Sequence, residues 1–371
     1  MKNGEPTNQP LRASAPTKHQ LIAEELRRQI VAGLLSPGSR LPTRAVLEQR
    51  FDASRQTVQQ AFDLLTAEGF VEPRGRQGTF VAERPPFLGH YALVYPHRPH
   101  DEQGWPMYWT AIFNEAQALQ RAGRCRFTAF YGTDATAQSR PYTGLSHAVA
   151  NHQVAGLILV CTPRGHHEHI DLASSALPRI LLAHYTDLPG AMAVGPDPAS
   201  FLTRALECLA SRRRRRIALV LQEMSELEAT QTISAARTHC ERLGLEMRFE
   251  WVQGCNPLRP HWIARSLAMM STLPPADRPD GLVICDDNLV EPAIRGLTRD
   301  PARAFAIGED LDIIAHANFP WTPPIEPPVT WLGFDIRELV RTCTENIERQ
   351  RRGENPPRRT DLKAVFEHEL P

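Results

Sequence analysis

Lysine is nearly absent from this chain. Only Lys2, Lys18 and Lys363 are lysines among the 42 basic residues of the 371-residue sequence. An enzyme that holds pyridoxal phosphate through a Schiff base needs a lysine inside its folded body, so that class of enzyme is excluded. Long apolar runs are absent as well, and none approaches the roughly 20 residues that span a bilayer. We therefore expect no membrane segment.

Cysteine pairs and catalytic motifs are also missing. The seven cysteines are scattered without a C-x-x-C pair, whereas a disulfide framework or a zinc ribbon shows regular pairs. No P-loop, H-E-x-x-H or G-x-S-x-G motif occurs. We therefore expect buried thiols, no metal, no cofactor and no enzyme. Residues 1–17 are polar and lack the apolar core of a signal peptide, so we expect a flexible tail and a cytoplasmic protein.

Neither sign of charge dominates the chain, but the charges are unevenly distributed. The sequence has 42 basic and 42 acidic residues and no formal net charge. Residues 1–84 hold 12 basic and 9 acidic residues, which leaves this part at +3 and the remainder at −3. The asymmetry has the sign of a nucleic-acid-binding head on an acidic body.

The pattern of residues 18–84 predicts three helices followed by a β-hairpin. Apolar residues recur at helical spacing in three stretches, and polar or Gly-bearing breaks separate them. The helices are expected over 18–33, 43–51 and from Ser54 to Gly69, and the hairpin over 70–81. Three helices, a tight turn and a hairpin form a winged helix-turn-helix domain.

The first turn of the third helix carries the residue types that recognise DNA. A helix enters the major groove with its N-terminal residues against the base edges, where Arg suits guanine and Gln suits adenine. A Ser hydroxyl or a helix N-terminus suits phosphate, and basic residues at a wing tip suit the backbone or the minor groove. The same polar surface is compatible with a winged helix that binds protein instead of DNA.

Four motifs in this region have a familiar order. They are Leu41-Pro42-Thr43, Ser54-Arg55-x-Thr57-Val58, Leu65-x-x-Glu68-Gly69-Phe70-Val71 and Gly75-x-x-Gly78-Thr79-Phe80-Val81. Together they resemble the GntR family of bacterial winged-helix regulators. The resemblance implies DNA contacts by Arg55 and Gly78, with Arg44 substituting for an early Arg whose position here is Ala45. With Gln59 at the family's later basic position, an unusual operator is expected. The expected DNA-binding set is Arg44, Ser54, Arg55, Gln56, Thr57, Gln59, Arg74, Arg76 and Gly78.

Beyond residue 90, short apolar runs alternate with amphipathic helical stretches. Such alternation predicts parallel sheets with helices on both faces. The runs indicate about nine strands, more than one sheet accommodates comfortably, so we expect two lobes with a cleft between them. Met247–Val252 and Ala304–Ile307 are among the predicted strands, and Pro320–Pro328 is predicted to be a loop.

Several segments of this second part resemble, in order and spacing, the effector-binding core of LacI-type repressors. They include Val154–Leu159, Pro279–Asp287, Ala306–Asp310 and Pro328–Thr330. The resemblance implies a periplasmic-binding-protein-like α/β fold, a homodimer and a small-molecule effector, first of all a sugar, between the lobes. The domains are then a tail at 1–17, the winged helix-turn-helix at 18–84, a linker at 85–90 and the effector domain at 91–371.

The same resemblance places Tyr108, Trp109 and Asp287 at the cleft. Asp287 is equally well placed to cap a helix, and both aromatic residues fit simple core packing. The family's cleft Arg corresponds to Ile233, and Arg237 lies one turn further along the helix. A sugar effector would therefore lack its usual cationic partner unless Arg237 supplies it.

Three other signals favour structural explanations. His166-His167-Glu168-His169 offers too few ligands on one helix face for a metal site, and Arg212–Arg216 precedes a predicted strand, as expected of a solvated loop or an intersubunit contact. Asp286-Asp287 and Glu309-Asp310 contain acids for glycoside chemistry, but the resemblance explains both pairs. We predict a transcriptional regulator, most simply a repressor, that binds double-stranded operator DNA as a dimer. The alternatives are a small-molecule sensor whose winged helix contacts protein, and a glycosidase-like enzyme.

Overall fold

The computed structural model describes residues 16–83, 85–99, 105–132, 142–160, 177–183, 191–302, 304–326 and 328–371. Most of the expected tail and the cluster His166–His169 lie outside these residues. The chain divides into two compact units. One takes the residues up to Leu88 with two short segments, His152–Ala155 and Arg351–Gly353, and the other takes the rest.

The first unit contains the three helices and the hairpin that the sequence predicts. The helices are α1 (Lys18–Val31), α2 (Arg44–Phe51) and α3 (Arg55–Ala67), and the antiparallel strands are β1 (Val71–Pro73) and β2 (Thr79–Val81). Asp52 turns the chain between α2 and α3 with a φ of 45°, a left-handed conformation that a short polar side chain tolerates. The buried faces of the helices form one core around Leu26, Leu47, Val58 and Leu65.

A third segment of chain, around Arg40, pairs with the hairpin. The sequence did not predict this pairing. The backbone N–H of Leu41 donates to the carbonyl of Thr79 at 2.9 Å, and the N–H of Val81 donates to the carbonyl of Ser39 at 2.8 Å. Arg40 thereby pairs with Phe80 as an isolated antiparallel bridge. The connection between α1 and α2 is thus tied to the wing.

The second unit is an α/β structure with two sheets, as the sequence predicts. Its strands are β3 (His90–Tyr95), β4 (Arg126–Tyr131), β5 (Gly156–Leu159), β6 (Arg179–Leu182), β7 (Ala191–Pro196), β8 (Ile217–Gln222), β9 (Val252–Cys255), β10 (Gly281–Ile284), β11 (Asp312–Phe319), β12 (Thr330–Asp335), β13 (Arg359–Leu362) and β14 (Val365–Phe366). Its helices are α4 (Met107–Arg121), α5 (Thr143–Ala150), α6 (Pro198–Ser211), α7 (Glu226–Leu243), α8 (His261–Met270), α9 (Val290–Leu297) and α10 (Ile336–Arg351).

The strand order defines two lobes within this unit. One sheet has the order β13-β7-β6-β5-β3-β4 and is parallel throughout. The other has the order β14-β12-β11-β10-β8-β9 and is parallel except for β14. The chain passes between the sheets after β7, after β12 and after β13. Because each lobe exposes carboxyl ends of parallel strands, the loops that follow them can build a binding site.

Two predicted strands are wrong. Within Met247–Val252 the chain forms a 3-10 turn that buries Trp251, and the strand begins only at Val252. Ala304–Ile307 buries Phe305 but leads into a turn at Gly308, whose φ is 92°. The strand of this region is β11, which the sequence pattern missed because polar residues interrupt its apolar run. The pattern did not predict β7, β13 or β14 either.

Candidate functional site

The N-terminal turn of α3 presents polar side chains on an ordered helix end. The Ser54 hydroxyl accepts a hydrogen bond from the backbone N–H of Thr57 at 3.2 Å and lies 2.9 Å from the Thr57 hydroxyl. This capping satisfies an otherwise unpaired N–H of the first turn. Because Val58 and its apolar neighbours face the core, Arg55 and Gln56 are left exposed.

Arg44 and Gln59 lie against other side chains in this region. The Arg44 guanidinium is 5.5 Å from the centroid of the Phe62 ring of α3, which places the start of α2 beside α3. The amide of Gln59 donates to a carboxylate oxygen of Asp63 at 2.7 Å. One of the two amide N–H groups of Gln59 is thereby used, which leaves its carbonyl and the second N–H for a base edge.

The wing is a tight turn that requires glycine at position 78. Gly78 has a φ of 111°, and its carbonyl accepts a hydrogen bond from the N–H of Arg74 at 2.8 Å. A Cβ at this position would lie 2.9 Å from Nε of Arg40. Arg40 therefore packs against the wing, which carries Arg76 at its exposed tip. Sequence reasoning missed Arg40, because only the bridge to Phe80 places it there.

The arginines of the first unit fall into two groups. Those of α1 and the end of α2 pair with acids: Arg27 lies 2.6 Å from Glu68, and Arg28 and Arg50 lie 2.7 and 3.4 Å from Glu25. The hydrogen bond from Arg28 lowers the pKa of Glu25 to about 2. Arg74 of the wing lies 3.5 Å from Glu83. Among the described residues, the ion pairs do not include Arg40, Arg44, Arg55 and Arg76, so unneutralised positive charge gathers near α3 and the wing.

In the second unit, Asp287 is buried at the carboxyl end of β10. It is 3% exposed, and one carboxylate oxygen accepts a hydrogen bond from the Asn318 amide at 2.6 Å. The capping role considered for Asp287 belongs to Asp286, whose carboxylate accepts from the backbone N–H of Asn288 at 2.9 Å. Asn318 comes from the neighbouring strand β11, so the acids and the amide meet at one sheet edge.

The protonation of this cluster is governed by burial. Burial raises the pKa of Asp287 to about 6, although the hydrogen bond from Asn318 acts in the opposite direction. Burial and the adjacent Asp287 also raise the pKa of Asp286. Burial lowers the pKa of His316 on β11, against the influence of Asp286. All three side chains are thus biased toward their neutral forms.

Aromatic side chains of the other lobe surround the first turn of α4. Trp109 is 4% exposed and packs against Tyr95 and Trp105, with ring centroids 6.0 and 5.1 Å away. The backbone N–H of Met107 donates to the Asn288 side-chain oxygen at 3.0 Å. This bond joins the first turn of α4, with Tyr108 and Trp109, to the segment that carries Asp287. The structure therefore brings together the chain segments that carry three of the four predicted effector-site residues.

Arg237 does not belong to this cluster. It is exposed on α7. Ile233, one turn earlier on the same helix, lines a groove of about 510 Å³ together with Glu223 and Trp262. The lining described for this groove includes neither Arg237 nor Asp287. The structure therefore does not bring Arg237 to the acids.

The remaining charged signals have structural explanations. In the basic run, Arg214 lies 2.9 Å from Asp312 and Arg216 lies 3.5 Å from Asp280. The second acid pair, Glu309-Asp310, is exposed in the turn before β11. Over the described ranges, no group of His, Cys, Asp and Glu side chains could hold a metal ion, and no described helix is long and apolar enough to cross a membrane.

Sequence reasoning missed three residues of the cluster, namely Asn288, His316 and Asn318. Asn288 directly follows the predicted acids, so its position was a usable signal. His316 and Asn318 lie two residues apart on β11, which places both side chains on the same face of that strand. Their relation to Asp286 and Asp287 depends on the pairing of β10 with β11, which the sequence alone does not specify.

Two family models match this chain. Residues 18–81 match "Bacterial regulatory proteins, gntR family", and residues 206–366 match "Periplasmic binding protein-like domain". The "Probable rhizopine catabolism regulatory protein MocR" of Rhizobium meliloti is 41% identical over 68 residues, 18% of this chain and 14% of that protein. The "Mannosyl-D-glycerate transport/metabolism system repressor MngR" of Escherichia coli is 40% identical over 65 residues, 18% of this chain and 27% of that protein. The matches thus cover only a small part of these relatives.

The solved structures agree with the fold of the second unit. A "regulatory protein of LacI family from Chloroflexus aggregans" has a TM-score of 0.58 and 16% identity, over 75% of this chain and 96% of that chain. At this identity the likeness shows the fold alone. The fold and the family models together define a two-part chain, a winged helix followed by a two-lobed binding domain. It has a GntR-family helix-turn-helix domain and a periplasmic-binding-protein-like domain, which confirms the resemblance seen in the sequence.

Proposed function

We propose that this protein is a cytoplasmic transcriptional repressor that binds operator DNA and is controlled by a small-molecule effector. The observation that carries the proposal is the exposed Arg55 on the Ser54-capped turn of α3, next to a wing that bears Arg76. A helix N-terminus with Arg and Gln side chains suits the major groove, and a basic wing suits the adjacent backbone. The names of the matched relatives, which describe regulators and a repressor, support the same function.

The proposed DNA interface has two kinds of contact. Arg55 and Gln56 would read base edges, while Ser54, Thr57 and the wing would position the helix through phosphates. A single small head gives limited affinity and specificity. We therefore propose a homodimer on a pseudo-palindromic operator, whose half-sites are separated by the spacing of the two heads.

The proposed effector site lies between the lobes of the second unit. Asp287, Asn318 and the first turn of α4 meet there through the bond between Met107 and Asn288. An effector that contacts both lobes favours one lobe arrangement over others, and this preference can be coupled to DNA affinity. The site is proposed to bind its ligand without transforming it.

The DNA-binding proposal is tested with genomic DNA fragments captured by the purified full-length protein and sequenced. We expect a specific operator, and we expect Arg55→Ala to weaken binding to it by about 10- to 100-fold. Arg295→Ala is the matched control, because Arg295 is an exposed arginine of the second unit that pairs only with Glu291 of its own helix among the ion pairs described. The control should bind as the unaltered protein does.

Other outcomes would contradict the proposal. Recovery of no specific sequence would favour a sensor whose winged helix contacts protein. Equal losses in the Arg55→Ala and Arg295→Ala variants would show that binding depends on total charge and not on the recognition helix.

A further inference from the structure

We infer that the effector of this proposed repressor is a cationic amine. Its ammonium group would bind Asp286 and Asp287, and its carbon skeleton would pack against the aromatic side chains at the start of α4. The inference rests on the proposed function only in treating this site as the effector site. It specifies a ligand class, since the fold assigns no charge to the ligand.

The cluster at the ends of β10 and β11 has more acceptors than donors. The described donors to the two carboxylates are the backbone N–H groups of Asp287 and Asn288 and the side-chain amides of Asn288 and Asn318. The Asn318 side-chain oxygen has no partner among the described residues, although Asn318 is only 1% exposed. A buried acceptor without a donor is costly, so the cluster is built to receive hydrogen-bond donors.

The two acids have no arginine or lysine beside them in the described part of the chain. The only basic side chain described as acting on Asp286 is His316, which burial biases toward its neutral form, and none is described as acting on Asp287. Arg337, at the start of α10, is bound to Asp335 through two hydrogen bonds of 2.9 Å. A buried carboxyl beside a half-buried one, without a guanidinium or ammonium partner, is unfavourable in its charged form.

A bound ammonium group would remove this imbalance. It offers up to three N–H donors and a full positive charge, which the carboxylates and the Asn318 oxygen can share. Burial raises the pKa of Asp287 to about 6 without a bound cation, and a neighbouring positive charge would lower it again. A ligand with a carboxylate or a phosphate would instead place a third negative group beside two acids.

The aromatic side of the site suits the remainder of such a ligand. The centroid of the Trp105 ring lies 4.9 Å from that of Tyr95 and 6.3 Å from that of Tyr131. Aromatic faces attract cations. The ring of Tyr131 makes one such contact, since the Arg98 guanidinium lies 5.7 Å from its centroid. The hydroxyls of Tyr95 and Tyr108 are buried without a hydrogen-bond partner in the described ranges, so further polar groups of a ligand could be bound here.

The inference is tested with pairs of compounds that differ in one group. Thermal unfolding and titration calorimetry of the full-length protein would compare 2-phenylethylamine with 2-phenylethanol, and glucosamine with glucose. We expect the amine of at least one pair to bind at least about tenfold more tightly than its neutral partner. Equal binding, tighter binding of the neutral compounds, or no binding by either amine would overturn the inference.

Variants of Asp286 and Asp287 test whether these two acids cause the preference for amines. Asp287→Asn and Asp286→Asn keep the side-chain size, and each should reduce the preference for the amine by about tenfold. Asp310→Asn, which alters an exposed acid of the second pair, should leave it unchanged. Circular dichroism confirms that each variant is folded, and an unchanged preference in both cluster variants would refute the assignment.

This experiment separates the inference from the proposed function. Operator capture without any added ligand tests DNA binding independently of the ligand class. If specific DNA is captured but amines are not preferred, the inferred ligand class is wrong and the proposed function as a repressor still stands. If amines are preferred but no specific DNA is captured, the protein is an amine sensor and the proposed function fails.

Discussion

The two units of this chain handle charge in opposite ways. In the winged helix, four exposed arginines near α3 and the wing stand outside the described ion pairs, while the arginines of α1 and Arg74 of the wing lie beside acids. The four are Arg40, Arg44, Arg55 and Arg76. In the two-lobed domain, Asp287 is buried and Asp286 is half-buried, and neither has an arginine or lysine partner among the described residues. The first arrangement suits a polyanion that binds at a surface, and the second suits a small ligand that is enclosed.

The difference shows how little a net charge reveals. The formal total of zero is composed of +3 in residues 1–84 and −3 in the rest. Neither value reflects the number of charges that are accessible or buried, and these charges determine what each unit can bind. Four experiments test the contrast between the two units.

The largest expected effect is destabilisation of the hydrophobic core that holds α3 and its exposed arginines in place. Leu65 is fully buried on α3, so Leu65→Ala should lower the free energy of unfolding of the winged helix by about 2–5 kcal/mol. Leu34, which is 69% exposed, supplies the control variant Leu34→Ala, with an effect within about 0.5 kcal/mol. Urea unfolding measures both. A small effect of Leu65→Ala would mean that the core around α3 is not as described.

The next effect concerns the buried acids. Since the folded-state pKa of Asp287 is raised to about 6, the folded state holds a proton that the unfolded state has released, and stability falls as the pH rises toward and through that value. Asp287→Asn cannot ionise, so it should be more stable than the unaltered protein at about pH 7.5, by about 1–3 kcal/mol.

The advantage of Asp287→Asn should shrink as the pH falls from about 6 to about 4 and be absent below about pH 4, where Asp287 is protonated in both states. His316 has the opposite sign, because its lowered pKa makes stability fall as the pH drops below its ordinary value. Thermal unfolding across this range, with His316→Gln as a companion variant, separates the two contributions. A constant difference between Asp287→Asn and the unaltered protein would contradict the burial of an ionisable Asp287.

A smaller effect is expected at the wing. Gly78→Ala forces a side chain into a φ of 111° and places its Cβ 2.9 Å from Arg40, at a cost of about 1–3 kcal/mol. Gly75→Ala is the matched control, because no described atom lies within 4 Å of a Cβ at that position and its φ is 52°. Operator affinity, measured by fluorescence anisotropy, should fall more for Gly78→Ala. Equal losses would show that the placement of Arg40 does not depend on the wing.

The smallest effect is a change in salt dependence. If Arg76 contacts a phosphate, Arg76→Gln should weaken binding similarly for all sequences and reduce the slope of log affinity against log salt by about 1. Anisotropy titrations over a series of salt concentrations measure the slope. A loss confined to one operator sequence would instead place Arg76 at a base edge.

Local patterns were sufficient to predict the winged helix. Its helices follow from apolar spacing, the Ser54 cap and the glycine that ends α3, all of which depend on neighbours in sequence. Arg40 escaped prediction because its place beside Gly78 arises from pairing between segments that are far apart in the chain.

For the two-lobed domain, the sequence predicted the α/β fold class but not the position of every strand. Alternating apolar and amphipathic segments indicated parallel sheets, and most predicted helices have the expected positions. The strand β11 was missed because His316 and Asn318 interrupt its apolar run, and these are the residues that complete the acid cluster. Where a strand supplies polar groups to a site, the pattern that identifies it is weakened.

The side chain of Asn288 has a consequence for how the two lobes affect each other. Its amide nitrogen donates to Asp286, and its oxygen accepts from the backbone of Met107 in the other lobe. The same nitrogen also donates to Asp287, so a ligand that competes for both acids would act directly on this amide. Occupancy of the site would then be linked to the position of α4 through the orientation of one side chain.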